Sequence, residues 1–252
     1  MILRKRHSLK YKLLLALGFL LDEGLDWLET LSSKEMILVK DKGYPKRNIQ
    51  NFLRDLTKTG YIEKKIHQGK PVFRLTSQGK IKIARDIPIA NLARQKWDGL
   101  FRAAAFDVPE EKRNLRDLVR EHLKGLGFGM LQKSLWITPY PLTKVLEEFV
   151  KFHHLDDYVL IMESKYISVE NARELAFRVW KLDKIIEAHL EFIDKWEENL
   201  SNVQAIKQSA GEWREEYFEL LAGDPLLPSE LLPQPWIGEK TKKLFFMLEK
   251  LS

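Results

Sequence analysis

From Pro45 to Leu56 the apolar residues Ile49, Phe52, Leu53 and Leu56 recur at i, i+3, i+4 and i+7. That spacing places all four on one face of an α-helix. The opposite face then carries Lys46, Arg47, Asn48, Gln50, Asn51 and Arg54. Gly43 and Gly60 bracket the segment, and Pro45 sits in the first turn, where a missing N–H costs nothing. A buried stripe opposite side chains that fork onto base edges or neutralise phosphates is the pattern of a recognition helix in a major groove.

The flanking residues complete the pattern. An apolar helix is expected over residues 8–22, and Ser32 or Ser33 with Glu35 offers a capping start for a second helix to about Lys40. After Gly60, the strand-like runs 61–65 and 71–75 are separated by His67-Gln68-Gly69-Lys70, whose glycine permits a tight hairpin with a basic tip. Thr76 or Ser77 then caps a closing helix. This order predicts a winged helix-turn-helix over residues 1–86 that binds double-stranded DNA. Arg47, Gln50, Asn51 and Arg54 are expected to face bases, and Lys46, Lys58, Lys65 and Lys70 to hold phosphates. Asn48, Lys64 and His67 complete the expected DNA surface.

Charge divides along the chain in the same sense. Of its 42 Lys and Arg and 36 Asp and Glu, 19 and 8 lie at or before Arg85, which leaves 23 and 28 for the remainder. The modest total of +6 therefore joins a strongly basic N-terminal part to a mildly acidic body. A basic domain is the electrostatic footprint of a polyanion binder.

Several function classes find no support in the sequence. Absence of cysteine removes disulfides and thiol chemistry. The six histidines show no metal-ligand spacing and read as surface or partly buried residues, and neither a phosphate-binding loop nor a G-x-S-x-G elbow occurs. The longest apolar run, Leu13 to Leu21, is too short for a membrane span. It follows a basic start, but Asp22 and Glu23 succeed it without a small-residue cleavage site. We expect a cytoplasmic protein without cofactor or membrane association.

Beyond a linker at 87–95, the chain reads as β-α-β-α-β. The strands fall at 100–106, 131–137 and 158–162, and the helices carry Leu115, Leu118, Val119 and Leu123, then 141–153. The fold class expected is α+β, with a ferredoxin-like domain over 96–168 and a mainly helical C-terminal domain over 169–252. That last part should contain one long helix over 171–200, with Leu175, Val179, Leu182 and Ile186 in its buried stripe, and a final helix over 240–251.

Three motif blocks carry a family resemblance. Trp97-Asp98-Gly99 is followed by Phe106-Asp107-Val108-Pro109-Glu110, with Arg113 and Arg116. Then come Leu126-Gly127-Phe128-Gly129 and Gln132-Lys133-Ser134-Leu135-Trp136-Ile137-Thr138-Pro139. The tail adds Asp224-Pro225-Leu226-Leu227-Pro228, Glu230-Leu231-Leu232-Pro233 and Trp236-Ile237-Gly238. These blocks resemble the PaaX family of phenylacetic acid degradation repressors. The resemblance implies a dimeric DNA-binding repressor released by an acyl-CoA effector such as phenylacetyl-CoA, and because one winged helix offers little specific contact area, a homodimer on an inverted repeat is expected. It also implies a central domain related to the CRISPR-associated nuclease subunit of spacer integration.

In that nuclease an aspartate at the end of the first strand holds Mg²⁺, and Asp107 occupies the matching position. A single carboxylate is a thin metal site, however, because phosphodiester hydrolysis needs several oxygen ligands around the ion. The alternative role for Asp107 is structural, as an acceptor for the free N–H groups of the following helix. A metal-dependent nuclease or a nucleoprotein adaptor is the alternative to a regulator, and no catalytic residue is expected.

Overall fold

The computed structural model describes residues 54–67, 70–79, 92, 95–166 and 171–251. The expected helices at 8–22 and 32–40, and most of the segment at 45–56, lie outside these residues. The described chain is α+β, with a four-stranded antiparallel sheet and a helical C-terminal region.

It begins with a helical turn at 54–58 and an antiparallel hairpin, β1 (Ile62–His67) and β2 (Lys70–Leu75). The larger sheet contains β3 (Phe101–Phe106), β4 (Gly129–Gln132), β5 (Leu135–Thr138) and β6 (Val159–Ser164), in the order β4-β5-β3-β6. Helix α1 (Arg113–Gly125) follows β3 after one 3₁₀ turn, and α2 (Thr143–Phe152) follows β5. The single strand expected at 131–137 is in fact a hairpin. Lys133 and Ser134 turn the chain, and Met130 pairs with Trp136 across it. Two polar residues between apolar runs, one of them the turn-favouring Ser134, suit that turn better than a continuous strand.

Alternation along the strands assigns the two faces. Arg102, Ala104 and Phe106 share one face with Trp136 and Glu163 by register. This face meets α1, where the Arg120 guanidinium lies 6.0 Å from the centre of the Phe106 ring, and α2, where Thr143 hydrogen-bonds Glu163. On the opposite face Gly129 lies against Val179 and Trp180, at the end of α3 (Ala172–Val179). Helices therefore pack on both faces, although Leu160 and Met162 of β6 leave part of the second face exposed, and β3 reads as nearly continuously buried.

The long helix expected at 171–200 is two. Helix α3 opens with the Asn171 side chain accepting from the Arg173 and Glu174 N–H groups. It stops at Trp180, and Lys181 takes φ +52° before α4 (Leu182–Glu197) begins. Periodicity hides this break, because Leu175, Val179 and Leu182 are all buried on either side of it. Three further helices follow: α5 (Val203–Gln208), α6 (Ala210–Gly223) and α7 (Ile237–Leu251). The last starts three residues before the Lys240 expected from sequence.

Contacts divide the described chain into two compact units. One contains residues 95–166 and 171–184 and the segment Pro225–Trp236. The other contains 54–67, 70–79, Ile185–Asp224 and 237–251. Phe192, Trp196, Trp213, Tyr217, Phe245 and Leu248 form an aromatic-rich core in the second, with Tyr217 stacked on Phe245 at 3.9 Å. Among the described residues no helix is long and apolar enough to cross a membrane.

Candidate nucleic-acid interface

The helical turn at 54–58 ends in two linked hydrogen bonds. The Tyr61 N–H donates to Leu56 O at 2.8 Å, and the Gly60 N–H donates to Thr57 O at 3.1 Å. This pairing closes a helix on a residue in the left-handed region, and Gly60 (φ +71°) takes it without a Cβ penalty. Leu56 is buried at 1% exposure, while Arg54 and Lys58, four residues apart on one face, are exposed.

Thr76 ties the hairpin to that helix end. Its hydroxyl donates to Gly60 O at 2.6 Å, and the same oxygen accepts from the Gly79 N–H at 2.7 Å. One side chain thus joins the foot of the hairpin to the preceding helix and caps residues 77–79, the capping role read from sequence.

Lys46, Arg47, Asn48, Gln50 and Asn51 lie outside the described residues. Arg54 and Lys58 are placed on the exposed side of the helix end. Lys64 is exposed on β1 and pairs with Phe73, while Lys65 pairs with Val72. His67 pairs with Lys70 in the last register position before the turn, so both sit at the hairpin tip. The strands run one or two residues further towards the tip than the sequence spacing indicates.

Asp107 is exposed at the end of β3, where its N–H donates to Tyr158 O at 3.0 Å. Its expected capping role is not realised. Pro109 occupies the N-cap of the 3₁₀ turn and Lys112 that of α1, and neither helix start has a side-chain cap. Proline and the tight turn leave fewer N–H groups to satisfy there. Among the described residues no three His, Asp or Glu side chains converge as metal ligands.

His122 and His189 are not the surface or partly buried residues expected from sequence, because both are buried. His122 stacks on Phe149 at 3.6 Å, and burial, with a contribution from positive charge on His153, lowers its pKa to about 4. Apolar packing disfavours the imidazolium.

The motif blocks acquire a physical explanation at the start of β3. Asp98 Oδ1 accepts from the Leu100 N–H at 3.0 Å, and Gly99 turns the chain at φ +78°. Both Asp98 oxygens meet the guanidinium of Arg102, whose Nε lies 3.3 Å from Glu163. The Trp97 ring N–H closes the turn onto Leu100 O at 3.0 Å, and its backbone N–H donates to Glu230 Oε1 at 3.3 Å. The tail block Asp224 to Pro233 thus meets the Trp97 block directly, a pairing 133 residues apart that no local spacing signals.

The same two regions match family models. Residues 94–176 match the PaaX protein central Cas2-like domain, and residues 180–251 match the PaaX-like protein C-terminal domain. The chain belongs to the PaaX family. A PaaX relative, the transcriptional repressor PaaX of Escherichia coli (strain K12), is 25% identical over 238 residues, covering 88% of this chain and 72% of that protein. Among solved structures, an uncharacterized protein of Mycobacterium tuberculosis is similar in fold. Its TM-score is 0.53 at 20% identity, over 94% of this chain and 93% of that one.

Proposed function

We propose that this PaaX-family chain is a transcriptional regulator, with repression as its output, that binds double-stranded DNA through a winged helix-turn-helix over residues 1–86. The observation that carries the reading is the frame at 54–79. A helix closed at Gly60 is joined through Thr76 to a two-stranded hairpin and a following helix, with Arg54 and Lys58 exposed opposite Leu56. These two cations continue the polar face that Lys46, Arg47, Asn48, Gln50 and Asn51 form in the sequence. The E. coli relative's description as a transcriptional repressor supports the same reading.

The β-α-β-β-α-β order with strands arranged β4-β5-β3-β6 supports a ferredoxin-like domain over 96–168, followed by a helical domain over 169–252. One winged helix supplies little specific contact area, so two copies reading an inverted repeat, with half-sites about 34 Å apart, fit the DNA geometry. An acyl-CoA-type effector releases such a cytoplasmic dimer only by binding its DNA-competent and DNA-incompetent states with different affinity.

The test is fluorescence anisotropy with duplexes selected from the host genome, titrated with salt. Lys58→Ala and Lys70→Ala should each lower the slope of log affinity against log salt by about one while preserving sequence preference. Asn51→Ala should relax preference at one position. Identical behaviour of the lysine and asparagine variants overturns the division of labour, and failure to select any sequence over random DNA overturns the regulator reading. Phenylacetyl-CoA added to the bound complex tests release.

A further inference from the structure

Helix α6 ends at Gly223, and after Asp224 the chain runs through Pro225–Trp236, which packs with the sheet unit, before returning as α7 at Ile237. Both ends of this excursion meet one side chain of α4. His189 Nδ1 lies 2.9 Å from Thr241 Oγ1, and His189 Nε2 lies 3.8 Å from Asp224 Oδ2. The Thr241 hydroxyl in turn lies 3.3 Å from the carbonyl of Ile237, the first residue of α7. Exposure is 2% at His189, 8% at Asp224 and 0% at Thr241.

An Asp-His-Thr series has the residue types of a nucleophilic relay, but here the hydroxyl is fully buried and bonded to a backbone carbonyl. No substrate carbonyl or phosphoryl group reaches it, so the arrangement must act by holding chain. What it holds is specific. Asp224 is the last residue before the excursion, and Thr241 lies one helical turn after its end. Imidazole presents a nitrogen on each side of a rigid ring, so one residue hydrogen-bonds Thr241 through Nδ1 while its Nε2 faces the Asp224 carboxylate at 3.8 Å, beyond hydrogen-bond range.

The excursion is itself anchored along its length. Leu226 takes φ +56° and its carbonyl accepts from the Tyr140 hydroxyl. Glu230 accepts the Trp97 N–H at its carboxylate, and its carbonyl accepts from Arg173 Nε at 3.4 Å. We propose that Pro225–Trp236 is a strap and His189 its clasp, so that local order in the strap and local order at the ends of α6 and α7 rise and fall together. A conformational change that shifts Tyr140, Trp97 or Arg173 would then be felt at Asp224 and Thr241 through the strap. The coupling is reciprocal by thermodynamic necessity.

Hydrogen–deuterium exchange on the full chain tests this without DNA or effector, and so independently of the regulator reading. His189→Asn retains a polar atom near the Nδ1 position and releases Asp224, whereas His189→Gln retains one near Nε2 and releases Thr241. His189→Gln, which loses the buried hydrogen bond to Thr241, should speed exchange across Pro225–Trp236 about ten-fold, and His189→Asn, which loses only the 3.8 Å approach to Asp224, should speed it by a smaller factor. Tyr140→Phe, made at the other anchor, should speed exchange at Leu220–Asp224 and 237–244. Faster exchange confined to α4 and α7 in the His189 variants overturns the proposal. So does Tyr140→Phe leaving the ends of α6 and α7 unchanged, and that arm decides the matter if the His189 variants fail to fold. Uniformly faster exchange through β3 to β6 in Tyr140→Phe also counts against the strap, because it signals general destabilisation.

Discussion

The Asp98 carboxylate holds the Arg102 guanidinium through both oxygens, at 2.9 and 2.6 Å, from four residues upstream. The Arg102 side chain is 6% exposed in the central strand of the sheet, so its charge depends on this pair and on Glu163. Asp98→Asn should destabilise the protein by about 2 kcal/mol, less than the rupture of a fully buried pair because Asp98 is partly solvated and Glu163 remains. Urea unfolding at pH 7 measures the loss. The Arg102 hydrogen bond keeps the Asp98 pKa below its ordinary value, although desolvation opposes it. A carboxylate lowered in the folded state contributes stability above its unfolded pKa of about 4, and that stability is lost as pH falls through the folded value. Asp98→Asn should therefore flatten the acid limb of the stability curve below about pH 4.

His122 predicts a second acid sensitivity in a different window. Its imidazole titrates near 4 in the fold, whereas the unfolded chain takes up that proton near 6.5. The unfolded state binds more protons between those values, so stability is complete above about pH 6.5 and falls as pH drops towards 4. The loss is roughly 3 kcal/mol at most. His122→Leu keeps an apolar partner for Phe149 and should remove this dependence. Equal slopes for wild type and variant between pH 6.5 and 4 would exclude the assignment.

Gly129 is required by close approach. A Cβ there would collide with Val179 Cγ1 and lie 2.7 Å from Trp180 Cε2. The Trp180 ring is fixed by its N–H donating to Gly127 O at 3.3 Å, so it yields little. Gly129→Ala should cost about 1–3 kcal/mol by overpacking. Adding Val179→Ala should recover part of that cost, and a double-mutant cycle by thermal unfolding measures the coupling.

Thr76 serves the hairpin and the next helix with one oxygen. Thr76→Val should cost about 1 kcal/mol through the lost cap. Thr76→Ser should retain most of it, since the hydroxyl and not the methyl group makes both contacts. Chemical denaturation of the pair separates the two terms.

Asp107→Ala should leave duplex DNA intact in Mg²⁺ or Mn²⁺, as should the parent chain. DNA cleavage by the parent that Asp107→Ala abolishes would replace the regulator reading with the nuclease one. Incubation with labelled duplex, resolved on a denaturing gel, is sufficient.

Local rules made much of this architecture legible. Thr76 and Gly60 announced a cap and a helix end, and the alternating runs on either side of His67 and Lys70 announced a hairpin, because each depends on residues a few positions apart. Less was legible where two local signals competed. The apolar stripe through Leu175, Val179 and Leu182 reads as one helix, yet Lys181 takes a positive φ and the chain turns between α3 and α4. The strand expected at 131–137 becomes β4 and β5 because Lys133 and Ser134 reverse the chain. Asp107 matches a metal-binding position in a resembling family, but the geometry around it neither caps a helix nor gathers further ligands among the described residues.

By itself the sequence determined the α+β class, the membership of the PaaX family and the basic, amphipathic character of the segment that ends at Gly60. Periodicity, composition and motif order are properties of the linear chain and survive without coordinates. Only the tertiary structure decided that Trp97 meets Glu230, that Tyr140 meets Leu226, and that His189 sits between Asp224 and Thr241. Those partners lie from 35 to 133 residues apart. Their proximity follows from the packing of whole helices and strands, and no pattern within a single helix or strand encodes it.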